Sequence, residues 1–219
     1  MCKCLLTSFA TILLFGSGCA KTEMHSFVDP EFRGRSYHDI IVAVQLDKLD
    51  QRDDAESIFV RKLASPTLKC RRALDVIPPT RQYDDAELKK ALSQSDADGL
   101  LLVRMTQYYE DEVYVPPSST TYTSGNLSAN TYYYGKQANT YGRVNSTSHT
   151  YTTGGQTYHL PRVRHEAQLW DVTSGKMAWI GGTFTSGNAY ARFGNLMTSL
   201  AGEVQATLVK EGLVAANTK

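Results

Sequence analysis

From Tyr108 to Leu160 the chain is dominated by Tyr, Thr, Ser, Asn and Gly; ten of its thirteen tyrosines fall there, and Leu127 and Leu160 are the only leucines. Such a segment cannot bury enough aliphatic surface to build a core of its own. The residues able to form a core lie before residue 108 and after residue 160. One fold must therefore assemble from two sequence-distant halves around a long insertion.

The first half alternates strands and helices. Asp39-Ile40-Ile41-Val42-Ala43-Val44-Gln45-Leu46 is a continuous apolar run of strand length, as expected of a strand covered on both faces. Ala55, Ile58, Phe59 and Leu63 follow at helical spacing, with Asp53, Asp54 and Glu56 read as the acidic first turn and Pro66 as the stop. Residues 69–77 read as a strand that ends at Pro78-Pro79. Asp84 with Glu87 three residues on is a capping-box pattern, opening a helix expected to bury Leu88, Ala91 and Leu92. Leu100 to Val103 reads as a third strand.

In the second half, Val163, His165, Ala167 and Leu169 alternate with Arg164, Glu166 and Gln168, the pattern of a half-buried strand. Trp170 to Trp179 reads as a hairpin turning at Thr173-Ser174-Gly175. Phe193, Leu196, Met197, Leu200, Val204 and Leu208 then fall on one face of a last helix, with Gly212 as its stop. The order β-α-β-α-β, insertion, β-β-α implies one α+β (or α/β) domain over 36–214, with helices packed on a mixed sheet of about five strands. Residues 108–160 form its insertion, and residues 215–219 a tail.

The amino terminus sets an address. Lys3 supplies a positive charge, Leu5 to Phe15 an apolar core, and Gly16-Ser17-Gly18 small residues before Cys19. This is the layout of a secretory signal over residues 1–18, and the run is shorter than the roughly 20 residues that span a bilayer. Residues 19–35, polar and broken by Asp29-Pro30 and Gly34, read as a tether. With Cys2 and Cys4 removed with the signal, and Cys19 set aside, Cys70 has no cysteine to pair with and reads as a packed thiol. Without Lys3, Lys+Arg equals Asp+Glu, so no basic field for nucleic acid is expected.

Gly-Ser-Gly-Cys resembles the lipobox of bacterial lipoproteins, with Gly16 where leucine is usual. The resemblance implies that Cys19 carries a lipid and becomes the first residue of the mature protein. Ala20, rather than aspartate, implies sorting to the outer membrane with the domain facing the periplasm. Phe27-Val28-Asp29-Pro30 leading to the Ile40–Val44 strand, Asp98-Gly99-Leu100-Leu101-Leu102-Val103, and the Leu169–Trp179 hairpin further resemble a group of uncharacterised bacterial lipoproteins whose domain is similar to the amino-terminal domain of TolB. The same general fold occurs in the curli secretion lipoprotein and in a lipoprotein activator of a peptidoglycan synthase. The resemblance implies fold, not activity.

Chemistry is harder to find. There is no Gly-x-Ser-x-Gly elbow, no phosphate-cradling glycine loop and no His-Glu-x-x-His. His149, His159 and His165 lack zinc-type spacing, Glu110-Asp111-Glu112 reads as a solvated acidic loop, and Trp170 and Trp179 read as hairpin packing. The expectation is an envelope accessory without enzymatic activity, cofactor or metal, with an envelope assembly, a secretion machine or peptidoglycan machinery as partner. Tyr122, Tyr132, Tyr133, Tyr134 and Tyr141 are the candidate contact residues, since tyrosine offers large amphipathic area with few rotors. Three readings of the insertion stay open: a floppy loop, an adhesive surface, or hairpins of an oligomeric export pore. A hydrolase with a hidden cleft is the remaining alternative.

Overall fold

The structure is a computed structural model and describes residues 18–215; residues 1–17 of the expected signal and 216–219 of the expected tail lie outside them. The elements in chain order are β1 (Ala20–Val28), a 3-10 turn (Pro30–Phe32), β2 (Asp39–Gln45), α1 (Leu49–Leu63), β3 (Lys69–Arg72), α2 (Ala73–Val76), α3 (Asp85–Ser93), β4 (Gly99–Val115), β5 (Ser118–Tyr134), β6 (Gln137–Thr153), β7 (Gln156–Asp171), β8 (Met177–Gly187) and α4 (Phe193–Lys210). They form two compact units, one running to Asp111 and resuming at His159, the other Glu112–Tyr158.

The first unit carries a mixed sheet in the order β1-β8-β7-β4-β2-β3. β2 runs parallel to both β3 and β4, while β8 is antiparallel to β1 and β7. The expected α+β architecture with helices on a mixed sheet is what the chain forms. β2 buries Ile40, Ile41, Val42 and Val44, which explains its unbroken apolar run: it has a core on each side. The larger core lies between the sheet and the helices α1 and α4, and unites Phe59 and Leu63 with Leu101, Leu169, Trp179, Leu200 and Leu208. A smaller cluster of Ile41, Ala73 and Ala97 lies on the opposite face. Among the described residues no helix is long and apolar enough to cross a membrane.

α4 ends in a Schellman motif. Leu213 N–H donates to the Leu208 carbonyl and Gly212 N–H to that of Val209, both at 3.0 Å. Gly212 takes φ +74°, which is why the glycine stands there.

Four expectations change. The sheet has six strands rather than about five, because residues 20–28 of the expected tether form β1, paired with β8 over nine rungs. Its inward side mixes the half-buried Ala20, Met24 and Val28 with the hydroxyls of Thr22 and Ser26, so its apolar pattern is broken up: Thr22 Oγ1 lies 2.9 Å from both Thr185 Oγ1 and Ser199 Oγ. α1 starts at Leu49, so Asp53, Asp54 and Glu56 fall beyond its first turn. Glu56 is fully buried and accepts from Arg52 Nε and from the N–H groups of Val44 and Leu74 at 3.0–3.3 Å, joining α1, β2 and α2. The strand expected over 69–77 stops at Arg72, whose guanidinium turns back onto Asp75 and the chain coils into α2. α3 has the predicted Asp84–Glu87 capping box, yet Leu88 is exposed and Ala91 and Leu92 only half-buried. This short helix stands off from the sheet and leaves a groove lined by Leu88, Leu92, Leu100 and Trp170.

The β7–β8 turn is built on Asp171, which has no solvent exposure. Its Oδ1 accepts from the Ser174 N–H at 2.7 Å and from Ser174 Oγ at 2.8 Å. Its Oδ2 is held by the Arg35 guanidinium and by the Tyr37 hydroxyl. Burial, then the neighbouring carboxylate, raises the Tyr37 hydroxyl well above its ordinary pKa, keeping it a donor. Gly175 at φ +68° closes the turn. Replacing Asp171 with alanine leaves the buried Tyr37 hydroxyl, and with it Arg35 and the Ser174 N–H, without this acceptor and is expected to cost about 1–3 kcal/mol, the usual range for an orphaned buried partner. Asp171→Asn, which keeps an acceptor for Ser174, should cost less. Urea-unfolding midpoints at unchanged slope would measure both.

Candidate functional site

The second unit is made of one long hairpin. Pro116-Pro117 cannot continue the β4 ladder, having no N–H to give. Opposite them, Gly154 and Gly155 take φ +89° and +75°, and Gly155 N–H donates to the Val115 carbonyl at 2.7 Å. A Cβ on Gly154 would stand 2.4 Å from the Pro116 carbonyl oxygen, so this pinch needs glycine. Beyond it β5 and β6 pair antiparallel from Ser118–Thr153 to Tyr134–Gln137 without a register shift, and Gly135 at φ +62° opens the two-residue turn with Lys136.

Successive side chains on a strand alternate between faces, so the register sorts the hairpin. One face carries Tyr122, Tyr132, Tyr141 and Tyr151 with Asn126, Asn130, Asn139, Asn145, Arg143 and His149. The other carries small and hydroxylated residues, the Leu127–Val144 rung, and Tyr133. On that second face the pairs Ser119–Thr152, Thr121–Thr150, Thr123–Ser148 and Thr131–Thr140 each join their hydroxyls at 2.9 Å. Across the first, the rings of Tyr122 and Tyr151 meet edge-on with centroids 6.1 Å apart.

The five tyrosines singled out from sequence therefore do not form one surface. Tyr122, Tyr132 and Tyr141 share a face, 63–72% exposed, and Tyr133 lies on the other at 77%. Tyr134 takes the last rung, opposite Gln137. Sequence reasoning passed over Tyr151 and the asparagines of this face, and weighed His149 only as a metal ligand. The turn at Gly135-Lys136, flanked at nearly equal distances by Pro116-Pro117 and Gly154-Gly155, fixes the register that groups them.

Among the described residues the β5–β6 sheet has two strands, so neither of its long edges is paired with a further strand. Natural edges are blunted by lysine, proline or bulges. Here the strands contain no proline, no bulge and a single formal charge, Arg143. An isolated two-stranded hairpin is at best marginally stable in water. The arrangement suits recruitment of a further strand, with the tyrosines to read its side chains.

The other residues singled out from sequence have structural surroundings. Cys19 is exposed, and its carbonyl accepts from the Asn188 N–H at 3.0 Å. Asp53 pairs with Arg72 at 2.7 Å and Asp111 with Arg162 at 2.7 Å. Glu110 accepts from the Tyr108 hydroxyl and lies 3.5 Å from His159 Nδ1. Trp179 is buried with its ring over Gly181, where a Cβ would come within 2.8 Å of it, and Trp170 Nε1 donates to Gln168. Among the described residues no three His, Cys, Asp or Glu side chains gather to hold a metal ion.

No family model matches the sequence, and no curated protein matches it. Several solved structures resemble it, these two among them. One is the PelC dodecamer from Paraburkholderia phytofirmans, 15% identical over 88% of this chain and 98% of that one, with a TM-score of 0.46. The other is a single-residue variant of the same dodecamer in a second crystal form, 16% identical over 85% and 98%, with a TM-score of 0.47.

Cys70 lies half-buried on β3, and burial, with the nearby Asp39 carboxylate adding to it, pushes its thiol up to about 12. Thiolate is the reactive form. In a chain beginning at Ala20, iodoacetamide at pH 8 should modify Cys70 at least about a hundredfold more slowly in the folded protein than in urea. Mass spectrometry of quenched samples would read the rates.

Proposed function

We propose that this chain is a lipid-anchored accessory of the bacterial cell envelope, without catalysis of its own, that recruits a partner protein through the β5–β6 hairpin. The observation that carries this reading is the hairpin's geometry: seventeen residues to a strand, no bulge, both edges open and a tyrosine-rich face. Addition of a partner strand would satisfy an edge through main-chain bonds, with Tyr122, Tyr132, Tyr141 and Tyr151 setting specificity. An envelope assembly, a secretion machine or peptidoglycan machinery is the class of partner.

The anchor in this reading is Cys19, supported by the charged start, the apolar run and the small residues before it. Outer-membrane sorting with the domain facing the periplasm is supported by Ala20. β1 begins at Ala20, immediately after the cysteine. The lipid would hold the domain directly rather than on a long leash. Cys19→Ser is expected to block lipidation and signal cleavage, so that the protein accumulates as a larger, unprocessed precursor and does not reach the outer-membrane fraction, as immunoblots of fractionated cells would register.

Joining Val115 to Gln156 through a short Gly-Ser turn removes β5 and β6 and leaves the six-stranded sheet. The expected outcome is an unchanged unfolding transition and loss of the cross-linked partner from cells. Partners retained by the shortened chain would rule the hairpin out as their contact.

A second reading has its own observation. The Ser/Thr, Leu127 and Val144 face of the hairpin has no charged residue, whereas the tyrosine face carries Arg143 and His149. Hairpins from several copies joined edge to edge would then make a two-sided sheet, as an export pore requires. The mass of the detergent-extracted protein by light scattering separates the two: a discrete ring favours the pore, a monomer the accessory.

A further inference from the structure

In the unit that carries the sheet, a cavity of about 460 Å³ opens beside the start of α4. Met105, Val163, Phe193, Leu196 and Met197 give it an apolar wall. Beside this wall β7 places His165, because the strand's alternation turns Val163, His165, Ala167 and Leu169 to the same side. His165 is only 3% exposed, and neither of its ring nitrogens has a hydrogen-bond partner. A buried polar group without a partner is destabilising, and a leucine at this position would avoid the loss. Burial lowers the imidazole to about 4, so at neutral pH the ring is uncharged and offers one donor and one acceptor, both unused.

The remaining lining restricts what enters. Among the described residues no lysine or arginine lines the cavity, so an anion would find no counter-charge there. Its one carboxylate, Glu110, is exposed and already engaged with the Tyr108 hydroxyl and with His159. A cation would have to compete for it. Ligand pockets of about 300–1,000 Å³, mostly apolar and with a few placed polar groups, are the common kind.

We infer that this cavity binds an uncharged amphiphile, an apolar body with one hydroxyl or amide group that hydrogen-bonds to His165. The site is separate from the hairpin and does not depend on its role. Its apolar wall supplies most of the affinity and His165 the selection for a polar group on that body.

The test uses residues 19–219 with Cys19→Ser, produced without the signal, which need no detergent that would compete for the cavity. Calorimetric titrations with para-hexylphenol, hexylbenzene and para-hexylbenzoate compare a neutral hydroxyl, no polar group and an anion on one body. The phenol is expected to bind about tenfold more tightly than hexylbenzene, the ratio one net hydrogen bond gives. The benzoate should bind no better than hexylbenzene, and the phenol should shift the His165 ring resonances in nitrogen-15 NMR spectra. His165→Leu should abolish the difference between phenol and hexylbenzene while retaining both. Ala189→Trp fills the cavity from its lining loop and should remove both ligands with the circular dichroism spectrum unchanged. No binding by the phenol, tighter binding by the benzoate, or phenol binding that leaves the His165 resonances unmoved would each overturn the inference.

Discussion

One buried carboxylate ties the connections at one end of the sheet together. Asp171 receives the turn that joins β7 to β8 through Ser174, and the segment entering β2 through Arg35 and Tyr37. The next residue extends the corner, since Val172 N–H donates to the Asp98 carbonyl at 3.1 Å. The Asp98 carboxylate in turn accepts the N–H groups of His38 and Asp39 at 2.7 and 3.0 Å, where β2 begins. Tyr37 N–H donates to Leu213 just past α4. A carboxylate out of water is tolerated only when its oxygens are fully engaged. Here that demand draws β2, β4, the β7–β8 turn and the residues just past α4 to one corner, which is how two halves separated by the insertion come to share one core.

This corner gives physical content to the Trp170-Asp171-Val172-Thr173-Ser174-Gly175-Lys176 motif. Asp171 is the buried acceptor, Ser174 a double donor to it, Gly175 the left-handed turn residue, and Lys176 pairs across to Glu31 at 2.8 Å. Each residue of the motif with an assigned partner works in the fold. A motif can thus be specific and yet silent about activity.

Elements that pack aliphatic side chains were legible. β2, α1, α4 and the alternation of β7 follow from period and apolarity, because there the sequence pattern and the burial are the same thing. Elements settled by polar partners were not. Glu56 looked like an exposed helix-start acid, since nothing in the local sequence announces that Val44 and Leu74 will present N–H groups to it. The 69–77 strand ended early for a similar reason, the Arg72–Asp75 pair. His165 was legible as a core-facing position, but the empty space beside it depends on Met105, Phe193 and Met197, which are distant in sequence.

The hairpin and β1 were illegible for one common reason. Both bury or pair hydroxyls: Thr22 with Thr185 and Ser199 in β1, and four Ser/Thr rungs in the hairpin. A hydroxyl is at once donor and acceptor, so two facing hydroxyls satisfy each other and tolerate either a core or a surface. Hydropathy scales such residues as polar loop, although β-branched threonine suits a strand. For the hairpin this has a consequence for recognition. With the hydroxyls of one face turned inward on one another, the regular hydrogen-bonding arrays left to a partner are the two backbone edges, and the specificity left is the tyrosine face. Binding along an edge is then the mode such a hairpin is built for, and a flat surface docking against its Ser/Thr face would gain little.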